Sequence, residues 1–495
     1  MSEQPRQHRG PRQKSRTAPS ARARKGDVPR TTAHRVLRAV AEDGAYANLE
    51  LPRALRRARL GGRDAAFTTE LTYGTLRMQG FYDAVIAEAA QRPVGRLDGG
   101  VLDVLRMGAH QVLGMRVAVH AAADQSVALA RSAAGQGAAG LVNAVMRRIG
   151  ERTREEWLEA VTPTEPLAER LAVSRSHPVW VVKALRQALM GHGIATSDDV
   201  DEALDELLAA HNVPAEVSLV ARPGLAEVDE LLFAGAQPGR WSPVAAEMSG
   251  GDPGAIEAVR EGRAAVQDEG SQLLALALAA VPVTPRADGA PERWLDLCAG
   301  PGGKAGLLAA LALQQGADLV ANEVSEHRTE LVRQTLRPAL DAAEAAGRHL
   351  EVRSGDGREV GEDEPETYDR VLVDAPCTGL GALRRRPEAR WRRQPKDLVG
   401  LGPLQRDLLS SAIEATRPGG VIAYATCSPH LSETTFVVRD VVKKRSDVEV
   451  IDARELLREV ATGELTDLGD GPHAQLWPHR HGTDGMFLAL LRKKG

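Results

Sequence analysis

Apolar positions recur along the first third of the chain at helical spacing, with little strand-like alternation. Val36, Leu37 and Val40 mark one face, and Val101, Leu102, Leu105, Ala109 and Val112 mark another. Residues three and four apart share one side of a helix. Gly44, the Gly61-Gly62 pair and Pro93 punctuate these stretches. Residues 31–155 therefore read as an all-α domain. Arg147 and Arg148 close one of its apolar helices, where cations suit the helix C-terminus and can also meet phosphate.

The pattern is mixed over 156–285. A helix is predicted from Val179 to Leu189, behind His177-Pro178, and a strand from Glu216 to Val220, before a turn at Arg222-Pro223-Gly224. Ala264 to Gln267 is extended and leads to a helix that starts near Ser271. This segment reads as a connector and a small α+β module. Over 286–495 the pattern changes again. Strands are predicted at Trp294–Cys298, Asp318–Ala321, around Val352, at Tyr368–Val373 and at Val421–Ala425. Between them lie helices at Ala305–Leu313, Glu326–Leu336 and Asp407–Thr416, the last closed by Pro418-Gly419-Gly420. Strands that alternate with helices predict a parallel sheet covered on both faces.

Composition narrows the class. A chain of 495 residues with 43% hydrophobic and 26% charged residues is a multidomain globular protein, not a coiled coil or a disordered chain. The longest apolar run, Leu273 to Val283, is shorter than the roughly 18 residues a membrane helix needs, so no membrane partner is expected. Residues 1–30 are rich in arginine and lysine but carry no apolar stretch of the kind a secretory signal needs. They read as a disordered basic tail, either a solubilising extension or an attractor of nucleic acid. The net charge of -4 means that any affinity for nucleic acid must come from local patches. Three cysteines, Cys298, Cys377 and Cys427, match no zinc spacing and are too few for a disulfide framework. No metal is expected, and the location expected is the reducing cytoplasm.

The strongest local signal is Asp296-Leu297-Cys298-Ala299-Gly300-Pro301-Gly302-Gly303-Lys304, between a predicted strand and helix. Glycines there let a ligand approach the backbone, and a helix N-terminus offers free N–H groups. Glu323 follows Gly303 by 20 residues at the end of the next strand, where a doubly wound fold places a carboxylate for ribose hydroxyls. The glycine spacing matches neither G-x-G-x-x-G nor a P-loop, which favours a nucleoside cofactor over a dinucleotide or a nucleoside triphosphate. Asp356, in Gly355-Asp356-Gly357, follows the third strand, and Asp374 ends the fourth. Both fall at the carboxyl edge of the sheet, although Asp356 also suits an ordinary turn.

Asp374-Ala375-Pro376-Cys377 and Thr426-Cys427-Ser428-Pro429 each put a thiol just after a strand. A free cysteine is usually a small buried hydrophobe. If the two strands are neighbours, both thiols open into one cleft, where a lowered pKa makes a thiolate nucleophile. Cys298 reads as packing. Arg384, Arg385, Arg386, Arg390, Arg392 and Arg393 crowd the loop after Cys377, around Trp391. Guanidinium groups bind phosphate and an aromatic ring stacks on a base, so this run is expected to contact nucleic acid; the ordinary alternative is a solvated charged face.

At these motifs the chain resembles the NOL1/NOP2/Sun family of S-adenosylmethionine-dependent RNA cytosine C5 methyltransferases. Within it, the chain is most similar to the bacterial group that acts on 16S rRNA and carries a helical domain similar to the antitermination factor NusB. The resemblance is strong in Asp296–Lys304, Asp374–Gly381, Tyr424–Pro429 and Gln475–Phe487, and weaker in Arg35–Arg148 and Gly262–Gln272. It implies a Rossmann-like class I methyltransferase domain at 286–495 behind a NusB-like RNA-binding domain at 31–155. It further implies that Cys298 to Lys304 line S-adenosylmethionine, Glu323 holds its ribose, and Asp356 sits near its adenine. Asp374 would lie beside both cofactor and base, Cys427 would be the nucleophile and Cys377 would assist product release. Gly300 stands where alanine is common, Glu323 where aspartate is frequent and Thr378 where serine is frequent. The partner expected is 16S rRNA, before or during small-subunit assembly, and the protein is expected to be a monomer. Methylation of tRNA, a DNA methyltransferase that uses Cys377, and a non-catalytic ribosome-assembly factor stay open as alternatives.

Overall fold

The computed structural model describes residues 27–495. They form two units: one runs up to Thr75 and includes Tyr82–Ala160, and the other comprises Leu76–Phe81 and Val161–Gly495. The first unit is helical, as its periodicity predicts. Its helices include Val28–Glu42, Ala47–Ala58, Gly99–Leu113, Val119–Ala134 and Gln136–Ile149. Val36 and Leu37 are buried with Leu51 and Ala54. Val101, Leu102, Leu105 and Ala109 are also buried. Arg106 binds both oxygens of Asp83, at 2.6 and 2.7 Å, and reaches Asp103, which also pairs with Arg38 at 2.8 Å. Arg148 donates to the Ala89 carbonyl at 2.7 Å, while Arg147 stands exposed.

The basic tail expected over 1–30 lies outside the described residues as far as 26. Its last positions are a correction. Asp27 accepts from the Arg30 N–H at 2.8 Å and caps a helix that begins at Val28. A carboxylate at that position satisfies an otherwise orphaned N–H, and so it starts the helix earlier than the apolar periodicity shows.

In the second unit, helices Leu167–Ser174, Val179–Gly191 and Val200–Ala210 lead to a four-stranded antiparallel sheet. Its strands are β1 (Val217–Ala221), β2 (Gln237–Pro238), β3 (Ala245–Met248) and β4 (Ala264–Val266), in the order β2-β3-β1-β4. Asp268 caps the following helix, Glu269–Ala280, by accepting from Gly270 N–H.

The larger sheet holds β5 (Arg293–Asp296), β6 (Asp318–Glu323), β7 (Leu350–Ser354), β8 (Tyr368–Asp374), β9 (Thr416–Thr426), β10 (Val448–Ile451), β11 (Ala474–Gln475) and β12 (Phe487–Lys493). Its order is β10-β12-β9-β8-β5-β6-β7, with β11 paired to β12. Strands β5 to β9 are parallel, as alternation predicts. The structure adds β12, antiparallel to both β9 and β10. Phe487 to Leu491 is an unbroken buried run, and such a run does not announce its direction. Pro418-Gly419-Gly420, expected to close the preceding helix, lies within β9, opposite a register shift between Tyr368 and Arg370. Leu273, Leu307 and Leu336 pack one face of the sheet, and Leu409, Ile413 and Val438 the other. Cores on both faces leave the carboxyl edge of the parallel strands as the place where loops converge.

Candidate active site

That edge brings the predicted motifs together. The turn after β5 reverses at Gly302, whose φ of 112° favours glycine, and helix Gly303–Gln314 begins at once. Gly300 N–H donates to Glu323 Oε2 at 3.0 Å, across from the end of β6. Glu323 is buried; its Oε1 accepts from Ser325 N–H at 3.1 Å and lies 3.3 Å from Arg328 Nη1. Arg328 also donates to the Gly300 carbonyl. The carboxylate is therefore fixed against the glycine turn before any ligand arrives.

Asp296, at the end of β5, was not singled out from sequence as a separate site residue. It is fully buried, its Oδ1 accepts from Cys298 N–H at 3.3 Å, and its Oδ2 has no partner. Burial, and then the charge of Asp374, push its pKa up to about 8, so the acid is largely protonated at neutral pH. Lys304 Nζ donates to Asp374 Oδ2 at 2.9 Å. Burial opposes the charge on Lys304, but Asp374 and the Cys427 thiol outweigh it and raise the lysine. Asp356 follows β7, and Arg358 binds both its oxygens, at 3.0 and 3.1 Å from Nε, and holds the carboxyl below its usual range.

Strands β8 and β9 are neighbours, with Asp374 opposite Ala425. The loops beyond them place Cys377 Sγ and Cys427 Sγ 3.4 Å apart. The pair is electrically asymmetric. The hydrogen bond from Cys377 lowers Cys427 against the effect of burial, with Lys304 and Arg386 adding to it. The same hydrogen bond, and then burial, push Cys377 well up. The asymmetry favours the proton on Cys377 and makes Cys427 the more acidic thiol of the two. Cys298 sits partly buried against the other side of the sheet, with burial pushing its thiol up. That suits packing rather than nucleophilic chemistry.

The arginine run divides. Arg390 is a correction to the expected RNA contacts, because its guanidinium is fully buried. Nη1 donates to the Arg77 carbonyl at 2.9 Å and to Asn212 Oδ1 at 2.7 Å, and Nη2 to the His211 carbonyl at 2.6 Å. Carbonyls that would otherwise be orphaned claim it for the interior. Arg385 is likewise committed, to Asp268 at 2.7 Å and Asp484 at 3.1 Å. Arg384 donates to the Gly482 carbonyl, and Trp391 is half-buried with its Nε1 shielded. Arg386 is exposed, Arg392 is half-buried, and Arg393 reaches the Cys377 carbonyl at 3.4 Å. A one-dimensional charge run does not tell which guanidinium faces a carbonyl. Sequence reasoning also missed Glu433 and Gln405, which contact the cysteine loops; their one signal was polar residues placed shortly after Thr426-Cys427 and within the helix after the arginine run.

Comparison with known proteins agrees with this arrangement. The family model described as 16S rRNA methyltransferase RsmB/F matches residues 284–492, and the NusB family model matches 27–151. Rv1407 of Mycobacterium tuberculosis, named as a methyltransferase, is 48% identical over 95% of this chain and 98% of its own length. The ribosomal RNA small subunit methyltransferase B of Pseudomonas putida is 31% identical over 94% of this chain and 98% of its own. In three dimensions, the crystal structure of PH0851 matches with a TM-score of 0.74 over 94% of this chain and 99% of that one, at 22% identity, a likeness of fold. A helical amino-terminal domain, a methyltransferase sheet with paired thiols at its edge, and relatives similar along nearly their whole length lead to one statement: the chain belongs to the 16S rRNA methyltransferase RsmB/F family.

Proposed function

We propose that this protein transfers a methyl group from S-adenosylmethionine to carbon 5 of a cytosine in 16S rRNA, through a covalent adduct between Cys427 and carbon 6. The observation that carries the reading is the Cys377–Cys427 pair, 3.4 Å apart beside the Lys304–Asp374 ion pair. The residues present fit the cofactor. Glu323 is held at the glycine turn, Asp296 carries an unpartnered oxygen, and helix Gly303–Gln314 points its N–H groups into the same turn. S-adenosylmethionine, when bound, supplies an electrophilic methyl group. Cys298, Ala299, Gly300, Pro301, Gly302, Gly303 and Lys304 would line it, Glu323 would take its ribose hydroxyls, and Asp356 would lie toward its adenine.

Carbon 5 of cytosine is a weak nucleophile. Addition of the Cys427 thiolate to carbon 6 shifts electron density onto carbon 5, and Asp374, held by Lys304, hydrogen-bonds to the ring. Once carbon 5 carries the methyl group, its proton passes to Cys377, which has released its own proton to solvent, the ring double bond re-forms and Cys427 departs as thiolate. The target base must be out of its stack to enter the cleft, and Arg386, Arg392 and Arg393 would meet the flanking phosphates.

The test is transfer of labelled methyl to unmethylated 16S rRNA, naked and in small-subunit particles, with tRNA and DNA in parallel. Label recovered as 5-methylcytosine at one 16S position is the expected result. Label confined to tRNA or DNA overturns the substrate assignment, and a different methylated base overturns the chemistry.

A methyl group added at Gly300 would lie 2.3 Å from Glu323 Oε2 and 2.8 Å from its Cδ. The longer glutamate thus occupies the space an alanine would need. Gly300→Ala should weaken S-adenosylmethionine binding by roughly tenfold or more, the scale of one lost charged hydrogen bond. Adding Glu323→Asp should recover most of it, because the shorter acid withdraws. Titration calorimetry of the two single variants and the double variant measures the coupling; purely additive losses would refute it.

A further inference from the structure

We propose that Glu433 is a positioning residue that ties the two cysteine loops to one another through its carboxylate; the inference rests on the two-thiol reading above. Glu433 ends the short turn Leu431–Glu433 after β9 and is 1% exposed. A carboxylate at that depth must have its oxygens satisfied, and here the donors come from both loops and from Gln405, in helix Asp397–Ala415. Oε1 accepts from Thr378 N–H at 2.7 Å and from Gln405 Nε2 at 3.4 Å. Oε2 accepts from the Thr378 hydroxyl at 2.5 Å and the Ser428 hydroxyl at 2.6 Å. Thr378 directly follows Cys377, and Ser428 directly follows Cys427. One side chain therefore sets the backbone one residue beyond each thiol.

Two further contacts make the tie rigid. Gln405 Nε2 also donates to the Pro376 carbonyl at 2.8 Å, just before Cys377. The Glu433 carbonyl accepts from the Tyr424 hydroxyl at 2.8 Å, which anchors its own turn to β9. A glutamine of the same shape could fill this space, but its NH2 would face either the Thr378 N–H or the two hydroxyls, so it could not satisfy all of these donors. The negative charge also has a direction. It disfavours a thiolate at Cys377, and so it helps keep the proton there while Cys427 carries the charge. The group that ties the two loops thus also adds to the bias, set chiefly by the hydrogen bond to Cys427 and by burial, that keeps the proton on Cys377.

The test uses the full-length protein as Glu433→Gln. The amide keeps the shape but loses the charge and one accepting oxygen. The expected result is a cooperative melt, S-adenosylmethionine affinity within about twofold of wild type, and kcat lower by on the order of 100-fold, as for a misplaced catalytic group, with KM for RNA little changed. Limited alkylation with iodoacetamide, read by peptide mass spectrometry without RNA, should mark Cys427 over Cys377 in the wild type and lose roughly tenfold of that preference in the variant. A purely structural role would lower the melting temperature and leave the partition between thiols unchanged in the folded fraction. Should Glu433→Gln not fold, Thr378→Val removes one donor and keeps the shape, and roughly tenfold lower kcat is expected. Wild-type kcat together with a wild-type alkylation partition in Glu433→Gln, or wild-type kcat in Thr378→Val if that variant has to stand in, overturns the proposal. A wild-type protein that methylates no RNA while the partition still shifts in Glu433→Gln overturns the function and supports the tie.

Discussion

Cys427→Ala should abolish methyl transfer, while Cys377→Ala should bind RNA and hold it as a covalent adduct. The first half follows from nucleophilic catalysis. Without a thiolate at carbon 6, carbon 5 stays unreactive, and loss of a catalytic nucleophile costs roughly four orders of magnitude or more. The second half follows from the coupling between the thiols. Cys377 keeps its proton chiefly because it hydrogen-bonds to Cys427 and is buried, with the Cys427 charge adding to this. Once Cys427 is bonded to carbon 6, that charge is gone. Cys377 can then release its proton to solvent and accept the carbon 5 proton, which lets Cys427 leave. With alanine at 377 this last step fails and the adduct persists. Denaturing gels of enzyme mixed with labelled 16S rRNA and S-adenosylmethionine show it directly. A nuclease-sensitive, slow-migrating band is expected for Cys377→Ala and none for Cys427→Ala. The reverse pattern would make Cys377 the nucleophile, and full activity in Cys427→Ala would end the covalent reading.

Gly381→Ala should cost both stability and turnover. Gly381 N–H donates to the Cys427 carbonyl at 2.9 Å, and its own carbonyl accepts from Gly485 N–H at 2.8 Å. It therefore straps the Cys427 loop to the turn before β12. A methyl group there would meet the Gly485 carbonyl oxygen at 2.1 Å, its carbon at 2.7 Å and Cα at 2.9 Å. These are backbone atoms, so no rotamer relieves the clash and one strap bond must open. Overpacking of this kind costs about 1–3 kcal/mol, visible as a lower midpoint in urea. Because the strap holds Cys427 itself, turnover should fall by on the order of 100-fold. S-adenosylmethionine affinity should stay near wild type, since the cofactor turn lies on β5 and β6. A variant with normal turnover would show that the strap does not position the nucleophile.

Much of this architecture is legible in one dimension. Helical periodicity marks Val36 and Leu37 as interior, and alternation marks β5 to β9, because local side-chain spacing reports directly on which face is buried. Strand β12 escapes, since Phe487–Leu491 is apolar throughout and carries no period. The first helix starts early because a single cap, Asp27, acts without an apolar signature. The arginine run shows the limit most plainly: Arg386 and Arg390 look alike in sequence, yet one is exposed and the other fully buried.

The sequence by itself determined the reactive groups: two thiols after two strands, an acid at the end of β8, and a glycine turn with its distant glutamate. Local propensity and residue chemistry suffice for that. The tertiary structure decided how they act on one another. That Cys377 and Cys427 share a proton depends on 3.4 Å between loops 50 residues apart. That Asp296 is largely protonated depends on burial beside Asp374, and that Glu433 reaches both loops depends on how β8 and β9 pair. Electrostatic coupling and desolvation fall off over a few ångströms, and such distances between residues far apart in the chain exist only once it has folded.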